Sequence, residues 1–169
     1  MSVPSEAWLR GPIAGMPPML HPLAYALIQA QEDVEAALSG VTADVLWRRQ
    51  NGAASAGFHA LHLAGALDRL FTYARGESLT DAQKAAARAE SEAHPAMDGA
   101  ALIQVMRASI DRAMAQLRAT DADRLLDERK IGRAGLPATV IGALVHGAEH
   151  TARHAGQLVS TIKLLQSPI

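Results

Sequence analysis

Seven histidines and no cysteine are what this 169-residue chain offers for chemistry. Five of the seven fall in two short windows, Phe58-His59-Ala60-Leu61-His62 and Val145-His146-Gly147-Ala148-Glu149-His150-Thr151-Ala152-Arg153-His154. His150 and His154 stand four residues apart. On a helix that spacing projects both imidazoles from one face, so two neutral ring nitrogens can converge on one divalent ion. His146 and His150 form a second such pair. All three do not readily serve one ion, because His146 and His154 lie about 12 Å apart along a helix axis and differ by roughly 80° around it. The absence of cysteine excludes disulfides, thiolate metal sites, iron–sulfur clusters and a cysteine nucleophile.

A helical wheel separates the pairs. Val140, Leu144, Ala148, Ala155, Leu158, Val159 and Ile162 define an apolar arc. His154 lies on its margin, His150 slightly further round, and His146 on the polar side near Arg153, where water solvates it. Ala143 and Gly147 flank the pair and leave room above the imidazoles. On an earlier helix Leu63, Leu67, Leu70, Phe71 and Ala74 form the buried face, with His62 on its margin and Ala66, Arg69 and Tyr73 continuing the His62 stripe. If the two margins face one another, His62 completes a three-histidine set with His150 and His154. Three histidine ligands leave a position open for water or substrate, as in catalytic rather than structural sites. Two alternatives stand beside this: hydrogen-bonded histidines without metal, and a closed four-nitrogen site that includes His59. Arg69 reads equally as a pocket residue or as the partner of Asp68 or Glu149. His21 and His94 read as surface residues.

Other chemistries lack their motifs. No Gly-x-x-x-x-Gly-Lys or Gly-x-Gly-x-x-Gly loop is present, nor His-Glu-x-x-His. The paired Glu-x-x-His of di-iron bundles is missing, since Glu149 adjoins His150 instead of preceding it by three. There is no Gly-x-Ser-x-Gly elbow.

The elements that must carry these residues are helical. Alanine and leucine supply 55 residues and Val, Ile and Thr together 23, a balance that favours helix over strand. Pro17-Pro18 and Ser39-Gly40 bracket a first helix with Leu23, Leu27, Val34 and Leu38 on its apolar side. A second runs from about Ser55 to Arg75, closed by Gly76. Thr80-Asp81 caps a short alanine-rich helix ending before His94-Pro95. Asp98 caps the next, with Leu102, Val105, Ile110, Met114 and Leu117 at helical spacing to about Ala119. A polar, glycine-containing connection from about Thr120 to Leu136 follows; it has room for a short irregular hairpin, but no strands are assigned. The last helix opens near Pro137-Ala138-Thr139 and runs to about Leu165. Four long helices and one short one, with no repeat or linker, read as an all-α bundle forming one domain over 1–169. The long gap between the second and last helices allows a crossover. Periodicity leaves the winding order open.

A net charge of −1 and a pI near 6.6 exclude a general polyanion-binding field, so no nucleic-acid or anionic-membrane partner is expected. The start, Met1 to Trp8, lacks the basic and apolar regions of a signal peptide. No apolar run approaches the ~20 residues of a membrane span, so a cytoplasmic location is expected.

With these features in view, His62-Leu63-Ala64-Gly65 together with Glu149-His150-Thr151-Ala152-Arg153-His154-Ala155-Gly156-Gln157-Leu158 resembles the DinB-like (damage-inducible, YfiT-like) superfamily. The resemblance covers almost the whole chain, and the late His-x-x-x-His-x-Gly-Gln is its specific part. It implies metal ligands at His62, His150 and His154, the three that the wheel selects. Gly156 would permit close helix packing and Gln157 would support a ligand. The resemblance also implies an up-down-down-up four-helix bundle, a homodimer, and a divalent ion such as zinc or nickel. The implied chemistry is transfer of a small-molecule thiol to an electrophile, with sulfur supplied by the co-substrate. Arg124, Arg129, Lys130 and Arg133 could attract that thiol's carboxylates. Metal-assisted hydrolysis at the same site and a non-catalytic association role are the alternatives.

Overall fold

The computed structural model describes residues 5–166. Met1–Pro4, on which the leader reading partly rests, lie outside the described residues.

Four long helices form the body: α1 (His21–Leu38), α3 (Ala56–Ala74), α5 (Gly99–Ala119) and α6 (Val140–Gln166), with the short α2 (Ala43–Trp47) and α4 (Asp81–Ala89) between them. Their starts follow the expected capping chemistry. Ser55 accepts from Phe58 N at 3.1 Å and Asp98 from Ala101 N at 2.9 Å. Thr80 and Gln83 form a reciprocal capping box on α4. Buried Leu23, Leu27, Val34 and Leu38 from α1 meet Leu63, Leu67 and Phe71 from α3, Leu102, Ile110 and Leu117 from α5, and Leu144, Leu158 and Ile162 from α6. Val105 departs from expectation: it is exposed, and Met106 takes the core position beside it.

Named contacts give the winding order. Ala64 lies level with Ser109, whose hydroxyl donates to its carbonyl, and Phe71 level with Gln116, so α3 and α5 run parallel. Gly147 packs on Phe71 while His154 meets His59, so α3 and α6 are antiparallel. Leu38 meets Gly99, and Glu35 pairs with Arg107 further along α5, so α1 and α5 are antiparallel. The bundle is therefore up-down-down-up. Two parallel consecutive helices require a crossover, and the segment carrying α4 provides it between α3 and α5.

The connection after α5 holds the short hairpin for which the sequence has room, and its arms are regular strands. Strands β1 (Glu128–Ile131) and β2 (Leu136–Thr139) pair antiparallel, Glu128 opposite Thr139 and Ile131 opposite Leu136. Gly132 (φ 71°) and Gly135 (φ 62°) supply left-handed backbone at the turn. Alternation is weak over four-residue strands, which is why the sequence allows a hairpin without marking its strands. Pro137 consequently sits in β2, where a two-stranded edge tolerates it, and α6 begins at Val140, directly after the expected Pro137-Ala138-Thr139 opening. No described helix is long and apolar enough to cross a membrane.

Candidate metal centre

The antiparallel seam of α3 and α6 brings the two histidine windows together. Each helix turns its aliphatic stripe to the core, which leaves the margins of the two stripes facing one another. His62 from α3 and His150 and His154 from α6 meet there, all half-buried, with one ring nitrogen from each lying within 4.8 Å of the others. Ring centroids are 5.0 Å apart for His62 and His150, 4.6 Å for His62 and His154, and 4.5 Å for His150 and His154. His150 Nε2 faces His62 Nε2 at 2.9 Å. This group could hold a metal ion.

The surroundings favour free-base nitrogens. Burial pushes His154 down from the ordinary 6.5 to about 4, with the neighbouring His62, His150 and His59 adding to the shift. His150 moves the same way, through burial first and then His62, His146 and Arg153. His59, buried at 8% exposure, is likewise lowered by burial and by His62. At neutral pH these imidazoles carry lone pairs free for donation.

Two of the three rings are tied from behind. His62 Nδ1 donates to Glu90 Oε2 at 2.8 Å, leaving its Nε2 toward His150. Glu90 in turn receives Arg69 Nη1 at 2.5 Å on Oε1. Burial raises the Glu90 carboxyl, but the His62 and Arg69 hydrogen bonds and charges overcome this and hold it below the ordinary range. His154 Nδ1 lies 2.9 Å from His59 Nδ1. His150 Nδ1 is buried without a hydrogen-bond partner among the described residues. Such an orphan fits a ring whose other nitrogen and position are set by something beyond the protein's own donors. Phe58 stacks on His62, centroids 5.1 Å apart at 12°, and meets His59 and His154 edge-on.

The expected neighbours sort unevenly. His146 is exposed and bridges toward Glu149 at 3.5 Å, so it stays outside the group, as its wheel position implied. His59 is close, its Nδ1 against His154 Nδ1 and its ring against Phe58, but it is not one of the three converging residues. Arg69 pairs with Glu90, not with Asp68 or Glu149, because Asp68 receives Gln83 and Glu149 receives Arg153. The missing side chain of Gly147 makes room for Phe71, since a Cβ there would meet that ring at 2.9 Å. Gly156 is exposed with nothing near its Cβ position, and Gln157 is exposed too, so close packing and ligand support both fail for them. The basic run is remote. Arg129 donates to the Ala74 carbonyl at 2.7 Å, twelve residues past His62 on α3 and so about 18 Å along the axis. Arg124 is taken by Asp127. His21 is more than a surface residue, since its Nε2 accepts from Ile13 N at 3.1 Å. His94 donates to the Ala89 carbonyl at 3.0 Å and packs edge-on to Trp47.

Sequence reasoning misses Glu90 and Phe58. Glu90 lies 28 residues from His62 with no periodic link to it. The available signal was indirect: an arginine on the His62 stripe needs a counter-charge, and Gly65 one turn from His62 marks a close approach.

A four-helix bundle with histidines converging across one antiparallel seam defines a class, and comparison places the chain within it. Residues 26–158 match the DinB superfamily, and the chain belongs to that superfamily. A solved structure described as the conserved protein of a locus from Enterococcus faecalis shares the fold, with a TM-score of 0.70 at 19% identity over 86% of this chain and 96% of that one. No curated protein matches.

Proposed function

We propose that His62, His150 and His154 bind one divalent ion, zinc or nickel, and that the chain uses it to transfer a low-molecular-weight thiol to a small electrophile. The observation that carries this reading is the convergence of three imidazoles from two antiparallel helices within 4.8 Å. When bound, the ion supplies positive charge that lowers the pKa of a nearby thiol. The protein's own groups prepare for it. Glu90 keeps the His62 proton on Nδ1 and so leaves Nε2 bare, while burial keeps His150 and His154 unprotonated. Phe58 stacks over one face of His62. The chain contains no cysteine, so the attacking sulfur comes from a co-substrate. Its lone pair forms the new S–C bond as the leaving group departs with the bonding pair. A homodimer in the cytoplasm is the setting that accompanies this reading.

Metal analysis of protein purified without a histidine tag tests it: about one ion per chain is expected, lost on His150→Ala or His154→Ala. Absence of metal under several growth supplements overturns it. A panel of thiols with a reporter electrophile then separates the reactions. Product that requires added thiol supports transfer, product without thiol replaces transfer by hydrolysis, and bound metal with neither product leaves an association role.

A further inference from the structure

We propose that Glu90 is the positioning residue for His62, and that through it metal loading and the docking of α4 are coupled. The inference rests on the metal reading above. Glu90 is the C-terminal cap residue of α4, 6% exposed, with a carboxylate divided between two partners. Arg69 reaches both oxygens, Nη1 on Oε1 at 2.5 Å and Nη2 on Oε2 at 3.3 Å, and His62 Nδ1 donates to Oε2 at 2.8 Å. A carboxylate buried this deeply is tolerated only when its charge and lone pairs are met. Arg69 meets the charge, and the oxygen that it holds at the longer distance also takes the N–H of a ring whose other nitrogen faces His150.

Gly65 makes that approach possible. Its backbone does not require glycine, since its φ is not among the positive ones. A Cβ at this position would instead collide with Glu90 Oε1 and approach Arg69 Nη1 to 2.8 Å. The missing side chain is the space that the Glu90 carboxylate occupies.

The helix that delivers Glu90 is otherwise weakly held. α4 has no buried residue of its own. A cleft of about 330 Å3 lies between its Ala86 and Ala89 and the Leu61, Ala64 and Met97 side chains. Its attachments are polar: Gln83 Nε2 to Asp68 Oδ2 at 2.6 Å and to Thr72 Oγ1 at 2.8 Å, and Glu90 to Arg69 and His62. A ligating imidazole gains from having its distal N–H tied to a carboxylate, because the tautomer and ring plane are then fixed. Coupling of this kind is reciprocal. An ion on His62 Nε2 strengthens the Nδ1 bond to Glu90, and so holds α4 to the bundle.

Three measurements on the full chain test this. In metal-free wild type, nitrogen NMR of the imidazoles should find the His62 proton on Nδ1. Zinc titration against a chromophoric chelator should give roughly ten- to a hundred-fold weaker binding for Glu90→Gln. Gly65→Ala, which displaces the same carboxylate with every charge retained, should weaken binding in the same direction and serves if Glu90→Gln does not fold. Amide exchange across residues 81–89 should slow on zinc addition in wild type, and Glu90→Gln should lose that slowing. If His150→Ala and His154→Ala retain zinc, the metal reading fails. If they lose it while both other variants bind as wild type does, or if His62 carries its proton on Nε2, the positioning role fails.

Discussion

Acidification of the metal-free protein should reveal the histidine cluster as a pH-dependent loss of stability. His154 is held near 4 in the folded chain, against an ordinary 6.5 once unfolded. The unfolded chain therefore takes up the proton first as pH falls, and stability drops wherever it binds more protons than the folded chain. The contribution is complete above pH 6.5 and is lost progressively between 6.5 and 4. The full gap corresponds to roughly 3 kcal/mol, of which about 2 would already be gone at pH 5. The ring is only half-buried, and solvent screening reduces the effect at pH 5 to about 1 kcal/mol. Urea unfolding of chelator-treated protein at intervals from pH 7.5 to 5 measures it, with His154→Gln as reference. Wild type should lose about 1 kcal/mol more than the variant over that range. Identical pH dependence in the two proteins, or a wild type that gains stability on acidification, would refute the claim that burial holds His154 neutral.

Three further outcomes follow from the same geometry. His146→Ala should leave metal content unchanged in elemental analysis, because that ring is exposed and turned toward Glu149. His59→Ala should weaken zinc binding, by up to about ten-fold in a chelator competition, without abolishing it. Complete loss of metal there would mean that His59 is itself a ligand. Gly147→Ala drives a methyl group against Phe71 and should cost about 1–3 kcal/mol in urea unfolding, with no change of fold by circular dichroism.

The four long helices and α4 were legible because their determinants are local, whereas the five-residue α2 is too short to show a periodicity. Ser55, Thr80 and Asp98 cap the helices that their own residue types announce. The long aliphatic stripes put Leu23, Leu63 and Leu144 in the core by periodicity alone. The strands of the short hairpin went unassigned because four-residue strands hold too few alternations to rise above a polar loop.

The site was half legible, and the division has a physical cause. Local spacing along single helices determined that His150 and His154 share a face, that His146 leaves it, and that His62 stands on the margin of its own helix. Only tertiary structure decided that α3 and α6 pack antiparallel, so that the margins meet and three ring nitrogens lie within 4.8 Å. It likewise decided that the crossover folds back to set Glu90 behind His62, that His59 stands behind His154, and that the basic run sits some distance along the bundle. Those pairings join residues far apart in sequence. Packing between elements creates them, and no periodicity within one element encodes them.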